Sequence, residues 1–115
     1  MSNPVVWFEV VGSEGSELRS FYGDLFGWSY DVDDKMDYGM VAADAGRGIP
    51  GGVGGGEQQR VTFYVATPSI EASLKQAQEL GGKVLMPRTA LPGGTVLGMF
   101  SDPQGNAVGL VEEAA

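Results

Sequence analysis

Two spacings of hydrophobic residues alternate along the chain. Trp7-Phe8-Glu9-Val10-Val11 and Thr62-Phe63-Tyr64-Val65-Ala66 are extended runs about 55 positions apart, each with Phe second and Val fourth. Each leads through small polar residues into a helical pattern. Leu18, Phe21, Tyr22, Leu25 and Phe26 fall on one helix face, and Ile70, Leu74, Ala77 and Leu80 on another. Ser13 or Ser16 is placed to cap the first helix and Thr67 or Ser69 the second. Gly27 and Gly81-Gly82 are placed to end them. Three extended pieces follow each helix: 28–32, 38–43 and 49–53, then 83–86, 95–101 and 107–112. The turns between them carry Asp33-Asp34, Ala45-Gly46, Pro92-Gly93-Gly94 and Pro103-Gln104-Gly105-Asn106. The pattern predicts an α+β chain of two tandem βαβββ modules within one domain over 1–115. Module one covers about residues 3–54 and module two about 60–113. The glycine-rich segment 54–59 reads as a flexible hinge between them.

Alternation within the opening strands separates two faces. Val6, Phe8 and Val10, with Val61, Phe63 and Val65, form solidly apolar faces expected to pack on the helices. Val5, Trp7 and Glu9, with Thr62, Tyr64 and Ala66, form faces with a charge, rings and hydroxyls. That mixture suits a ligand-lined cleft better than a core.

Composition narrows the chemistry. The chain has no cysteine and no histidine, so thiolate or imidazole metal ligands and nucleophiles are absent. A formal charge of −8 argues against nucleic acid as a partner and is compatible with a cationic ligand. No segment reads as a signal peptide or a membrane helix, so a cytoplasmic location is expected.

The duplicated module, with Phe21-Tyr22 through Phe26-Gly27-Trp28 in one copy and Asp102-Pro103-x-Gly105-Asn106 in the other, resembles the vicinal oxygen chelate superfamily. That group includes glyoxalase I, bleomycin-resistance proteins and extradiol dioxygenases. The resemblance implies curved sheets forming a cleft, and a homodimer. It also implies metal ligands on the first and last strand of each module. Those positions fall on Trp7 and Thr62, on Gly109, and near Gly52, none of them a credible ligand. Gly109 therefore raises a specific question, since glycine weakens a strand interior. Either a ligand position has been left blank or another group approaches the backbone there.

The expected function is metal-independent binding of an aromatic or cationic small molecule, with no cofactor. Candidate ligand-binding residues are Trp7, Glu9, Tyr38, Met40, Thr62, Tyr64, Met99, Phe100 and Gly109. Trp7 would add cation–π attraction to the Glu9 charge. The alternative is a metal-free lyase, isomerase or cyclase-like enzyme with Glu9 as general base and Tyr64 as an orienting group. Glu9 could equally be a carboxylate paired with Arg60, Lys83 or Arg88.

Overall fold

The structure is a computed structural model that describes residues 2–44 and 46–113. Its elements run β1 (Val5–Gly12), α1 (Gly15–Phe26), β2 (Asp31–Asp33), β3 (Tyr38–Val41) and β4 (Gly51–Gly55). They continue β5 (Arg60–Thr67), α2 (Ile70–Glu79), β6 (Lys83–Ala90), β7 (Val96–Ser101) and β8 (Ala107–Glu112). This is βαβββ twice, the α+β architecture expected from the repeat. The chain divides into two compact units, Trp7–Thr62 and the residues up to Val6 together with those from Phe63 on.

In the Trp7–Thr62 unit the strand order is β2-β3-β4-β1. β1 pairs with β4 in parallel, placing Glu9 beside Gly52, and the other pairings are antiparallel. Gly27 ends α1 in a left-handed turn at φ 75°, with its amide bonded to Gly23 O. That reversal folds Trp28 back under the helix. Its ring lies 5.6 Å from Tyr22, 5.4 Å from Phe26 and 5.3 Å from Phe8 of β1. The Phe-Tyr-x4-Gly-Trp pattern is thus an aromatic clasp between α1 and the sheet. Arg19 reinforces it from the same helix, reaching Val53 O at 3.2 Å and the Asp37 carboxylate at 2.8 Å.

In the other unit the order is β5-β8-β7-β6, again with the first and last strands parallel. Ile70 and Leu74 of α2 bury against Leu110, with Val65, Val84, Val96 and Phe100 packed around them. The Asp102 turn is tied by its own side chain. Oδ1 accepts from the amides of Gln104 and Asn106 at 2.9 Å, and Oδ2 from Asn106 Nδ2 at 2.9 Å. Those bonds, the Asn106 side chain's first, hold the Asp102 carboxyl below its usual range.

Several local expectations need correction. The α1 face is only partly covered, because Gly15, close to the Gly55 backbone, and Arg19, bonded to Val53 O, also turn toward the sheet. Phe21, Leu25 and Phe26 each remain 58–59% exposed. Neither Ser13 nor Ser16 caps α1: the N-cap is Glu14, which makes no side-chain capping bond, whereas Ser69 caps α2 by accepting from the Ala72 amide. Residues 28–30 are not strand, because the left-handed turn and the Trp28 clasp take them out of the ladder. Gly54 and Gly55 belong to β4 rather than to the hinge. Val61 and Phe63 are exposed, so of that apolar face only Val65 joins the α2 core. Of the expected Ala45-Gly46 turn, Ala45 lies outside the described residues.

Candidate functional site

In the Trp7–Thr62 unit, Trp7 and Glu9 of β1, Gly52 and Gly54 of β4, and Tyr38 and Met40 of β3 share the sheet face opposite α1. Phe8 and Gly12 point to the helix side, where Trp28 and Leu18 meet them. Glu9 is 7% exposed although it is charged. Such burial requires partners, and it has them. The Tyr38 hydroxyl donates to Oε2 at 2.9 Å and Arg60 Nη2 donates to Oε1 at 2.9 Å. The Trp7 indole N–H in turn donates to the Tyr38 oxygen at 2.9 Å. The result is a fixed chain, Trp7 to Tyr38 to Glu9 to Arg60. Of the three pairings open to Glu9 in the sequence, the structure selects Arg60.

Tyr38 reaches Glu9 by lying along β4, its ring running from Gly54 to its hydroxyl over Gly52. A Cβ on Gly52 would overlap the ring and hydroxyl of Tyr38. The other unit repeats the arrangement. Tyr64 of β5 stands beside Gly109 of β8 in the parallel pair, as Glu9 stands beside Gly52. A Cβ on Gly109 would overlap the Tyr64 ring. The question raised by Gly109 is thus answered by close approach, and the approaching group is a tyrosine ring from the adjacent strand. A metal of the kind implied by the resemblance does not fit this donor set. Gly52 and Gly109 are covered by rings, Trp7 carries an indole, and Thr62 a single hydroxyl. Among the described residues, no three Asp or Glu side chains converge on a point.

The remaining candidates are divided. Met40 is on the Glu9 face and exposed. Thr62 and Tyr64 are buried, and Met99 lies beside Gly109 on β7 and is buried too. Phe100, the next residue, faces the opposite side and packs into the α2 core, so it stands apart from Met99. Two residues with clear roles were not singled out from the sequence. Asp37 holds Arg19 at the unusual φ of 51°. Glu112 grips Arg88 through two nitrogens and accepts the Ile70 amide at 3.0 Å, closing the start of α2. The Arg88 bonds, followed by the Ile70 amide, hold the Glu112 carboxyl down to about 2. A glutamate directly after Val111, at the end of β8, was the only available signal for Glu112.

The α+β βαβββ pair and a polar, ring-covered sheet face define a class, and comparison with known proteins narrows it. The family model described as glyoxalase-like domain matches residues 10–111, and the chain belongs to that family. Among curated proteins it is similar to CFP32 of Mycobacterium tuberculosis and of Mycobacterium bovis, whose name carries the word glyoxylase. Each is 28% identical over 113 residues, covering 90% of this chain and 43% of the relative. The chain therefore spans less than half the length of those relatives. Among solved structures it resembles a glyoxalase/bleomycin resistance protein/dioxygenase superfamily member from Vibrio splendidus. There the TM-score is 0.69 at 14% identity, covering 97% of this chain and all of the other. Methylmalonyl-CoA epimerase from Mycobacterium tuberculosis gives 0.66 at 10%, covering 96% and 88%. At these identities the structures share the fold alone. Among the described residues, no helix is long and apolar enough to cross a membrane.

Proposed function

We propose that the chain is a metal-independent small-molecule binding protein of the glyoxalase/bleomycin-resistance type. It holds an aromatic ligand on the face bearing Trp7, Glu9 and Tyr38. The observation that carries this reading is the pair of tyrosine rings lying over Gly52 and Gly109, where the resemblance expects metal ligands. The Glu9 charge is offset by Arg60, so this face offers polarity with little net charge. An aromatic ligand with a polar edge suits it better than a cation. The same pairing disfavours Glu9 as a general base. Each of its oxygens already accepts a hydrogen bond, which leaves fewer lone pairs for a ligand's proton. The exposed Phe21, Leu25 and Phe26, and relatives about twice as long, support pairing of two copies as a homodimer.

The test is titration of aromatic compounds followed by tryptophan fluorescence in the native chain and in Trp7→Phe and Glu9→Gln. Saturable binding weakened by Trp7→Phe supports the reading. Turnover of a bound compound that vanishes in Glu9→Gln while affinity persists would replace it with the enzyme.

A further inference from the structure

On the face bearing Trp7, β4 offers no side chain. Gly52 and Gly54 form a bare backbone floor there, both buried, with the Tyr38 ring resting on them. Neither glycine is among the residues at positive φ, so the backbone does not call for glycine at either place. What excludes a Cβ is what lies above. At Gly52 it would meet the Tyr38 ring and hydroxyl, and at Gly54 the Tyr38 ring and the Asp37 carbonyl. Two glycines weaken a strand. A strand that needed only a cover would grow one from its own side chains.

The far end of this floor is finished with polar groups. Glu9 Oε2 accepts from the Tyr38 hydroxyl at 2.9 Å, and Trp7 Nε1 donates to the same oxygen at 2.9 Å. Glu9 is buried, and Arg60 holds its other oxygen. One acceptor and one donor, aimed at one oxygen at the end of a flat slot, make a socket for a phenol. Tyr38 is the phenol that fills it.

Tyr38 is less firmly enclosed than Tyr64. Tyr64 is buried, whereas Tyr38 is only partly buried and stands at the first position of β3. Met40, on the same face and paired with Gly52, is exposed. The residue before Tyr38 is Asp37, among the described residues the one non-glycine at positive φ, held by Arg19 at 2.8 Å. Strain of this kind collects at ligand clamps and switch segments. Rotation about the Tyr38 side-chain bonds takes the ring off the floor without moving β4.

We infer that Tyr38 is an internal occupant of the ligand's place, and that the ligand of this face is a phenol, a hydroxyl carried on an aromatic ring. The inference rests on the Trp7 face being the binding face and names the ligand class for it. The incoming ring lies on Gly52 and Gly54 in place of Tyr38. Its hydroxyl donates to Glu9 and accepts from Trp7. Because Tyr38 has to leave, the apparent affinity is lowered by the fraction of molecules in which it is still seated.

The probe is 4-methylphenol, with toluene as the counterpart lacking the hydroxyl. Each is titrated into the full chain and followed by the Trp7 indole N–H and the backbone amide chemical shifts. The native chain should bind 4-methylphenol, with shifts at Trp7, Glu9, Tyr38 and residues 52–54. Toluene should bind about tenfold more weakly or worse, since it leaves Glu9 and Trp7 unpaired. Tyr38→Phe keeps the ring on the glycines but loses its hydrogen bonds to Glu9 and Trp7. The phenol should then displace it more easily, with affinity up roughly tenfold. Tyr38→Ala should raise affinity further, and saturating 4-methylphenol should return the indole N–H toward its native position. If both variants bind 4-methylphenol no better than the native chain, Tyr38 lines the site rather than fills it. The inference then fails while the Trp7 face remains a binding site. Binding seen only in Tyr38→Ala is a cavity made by the substitution and overturns the inference too. So does equal binding of toluene, or no binding of 4-methylphenol to the native chain. The broader reading of the Trp7 face falls only if the wider series of aromatic compounds also fails to bind.

Discussion

Gly109→Ala tests the most specific feature of the sheet. Two effects of opposite sign compete. An added methyl restricts the unfolded chain and stabilises by about 0.4–1 kcal/mol wherever the native backbone accepts it. Gly109 is not among the residues with positive φ, so its backbone accepts alanine. The Cβ, however, would fall within the Tyr64 ring, and Tyr64 is 5% exposed with little room to swing aside. Overpacking of that kind costs about 1–3 kcal/mol. The clash should win or at least cancel the gain, giving net destabilisation of about 0–2.6 kcal/mol. At ~4–8 °C per kcal/mol for a small domain, the melting temperature should fall by up to roughly 20 °C. In a Tyr64→Ala background the clash is gone, and Gly109→Ala should be neutral or stabilising, a change of sign read as coupling in a double-mutant cycle. The assay is thermal and urea unfolding followed by circular dichroism. If Gly109→Ala raises the melting temperature in the native background, the ring does not cover Gly109 and the reasoning fails for Gly52 as well.

Other consequences follow from the polar contacts. Glu9→Gln keeps an acceptor for Tyr38 but loses the ion pair with Arg60, whose side chains are 10% and 27% exposed. A pair between surface and core should cost about 1–3 kcal/mol in urea unfolding, and a loss below ~0.5 kcal/mol would mean the pair is solvated. The Glu112 carboxyl is held below its unfolded value, so its stabilisation is present above pH 4.5 and is lost as the pH falls toward about 2. Arg88→Met should flatten that acid limb, and raised salt should shrink it because the pair is exposed. An acid limb identical in the native chain and Arg88→Met would remove the link. Gly27→Ala forces a side chain into the left-handed turn at φ 75°, and should cost about 1 kcal/mol and loosen the Trp28 clasp, read as a change in near-ultraviolet dichroism.

Much of this architecture was legible because the repeat is internal. Val5–Gly12 and Arg60–Thr67, then α1 and α2, keep one offset, and two copies of a pattern constrain each other. The motifs that carried the resemblance turn out to be structural. Phe21 to Trp28 is an aromatic clasp and Asp102 to Asn106 a self-bonded turn, which is why they mark the fold well and chemistry poorly. The site was half legible. Alternation put Trp7 and Glu9 on one face, but it could not select Arg60 over Lys83 or Arg88, since the pairing spans 51 positions. Nor could spacing show Tyr38 lying across Gly52, because glycine in a strand reports that something comes close without saying what. Met99 and Phe100 could not be separated in the sequence, because adjacent strand residues point to opposite faces and the register between β7 and β8 decides which of them turns toward the α2 core.

The central claim is that the tyrosine-covered strands bind an organic ligand and hold no divalent ion. A thermal-shift series at fixed protein concentration tests it most directly, with Ni²⁺, Mn²⁺ and Zn²⁺ in one arm and aromatic compounds in the other. The account predicts no stabilisation by the metals and a concentration-dependent rise with at least one aromatic compound, reduced in Trp7→Phe. A clear rise with any of the three ions, abolished by chelator, would contradict it.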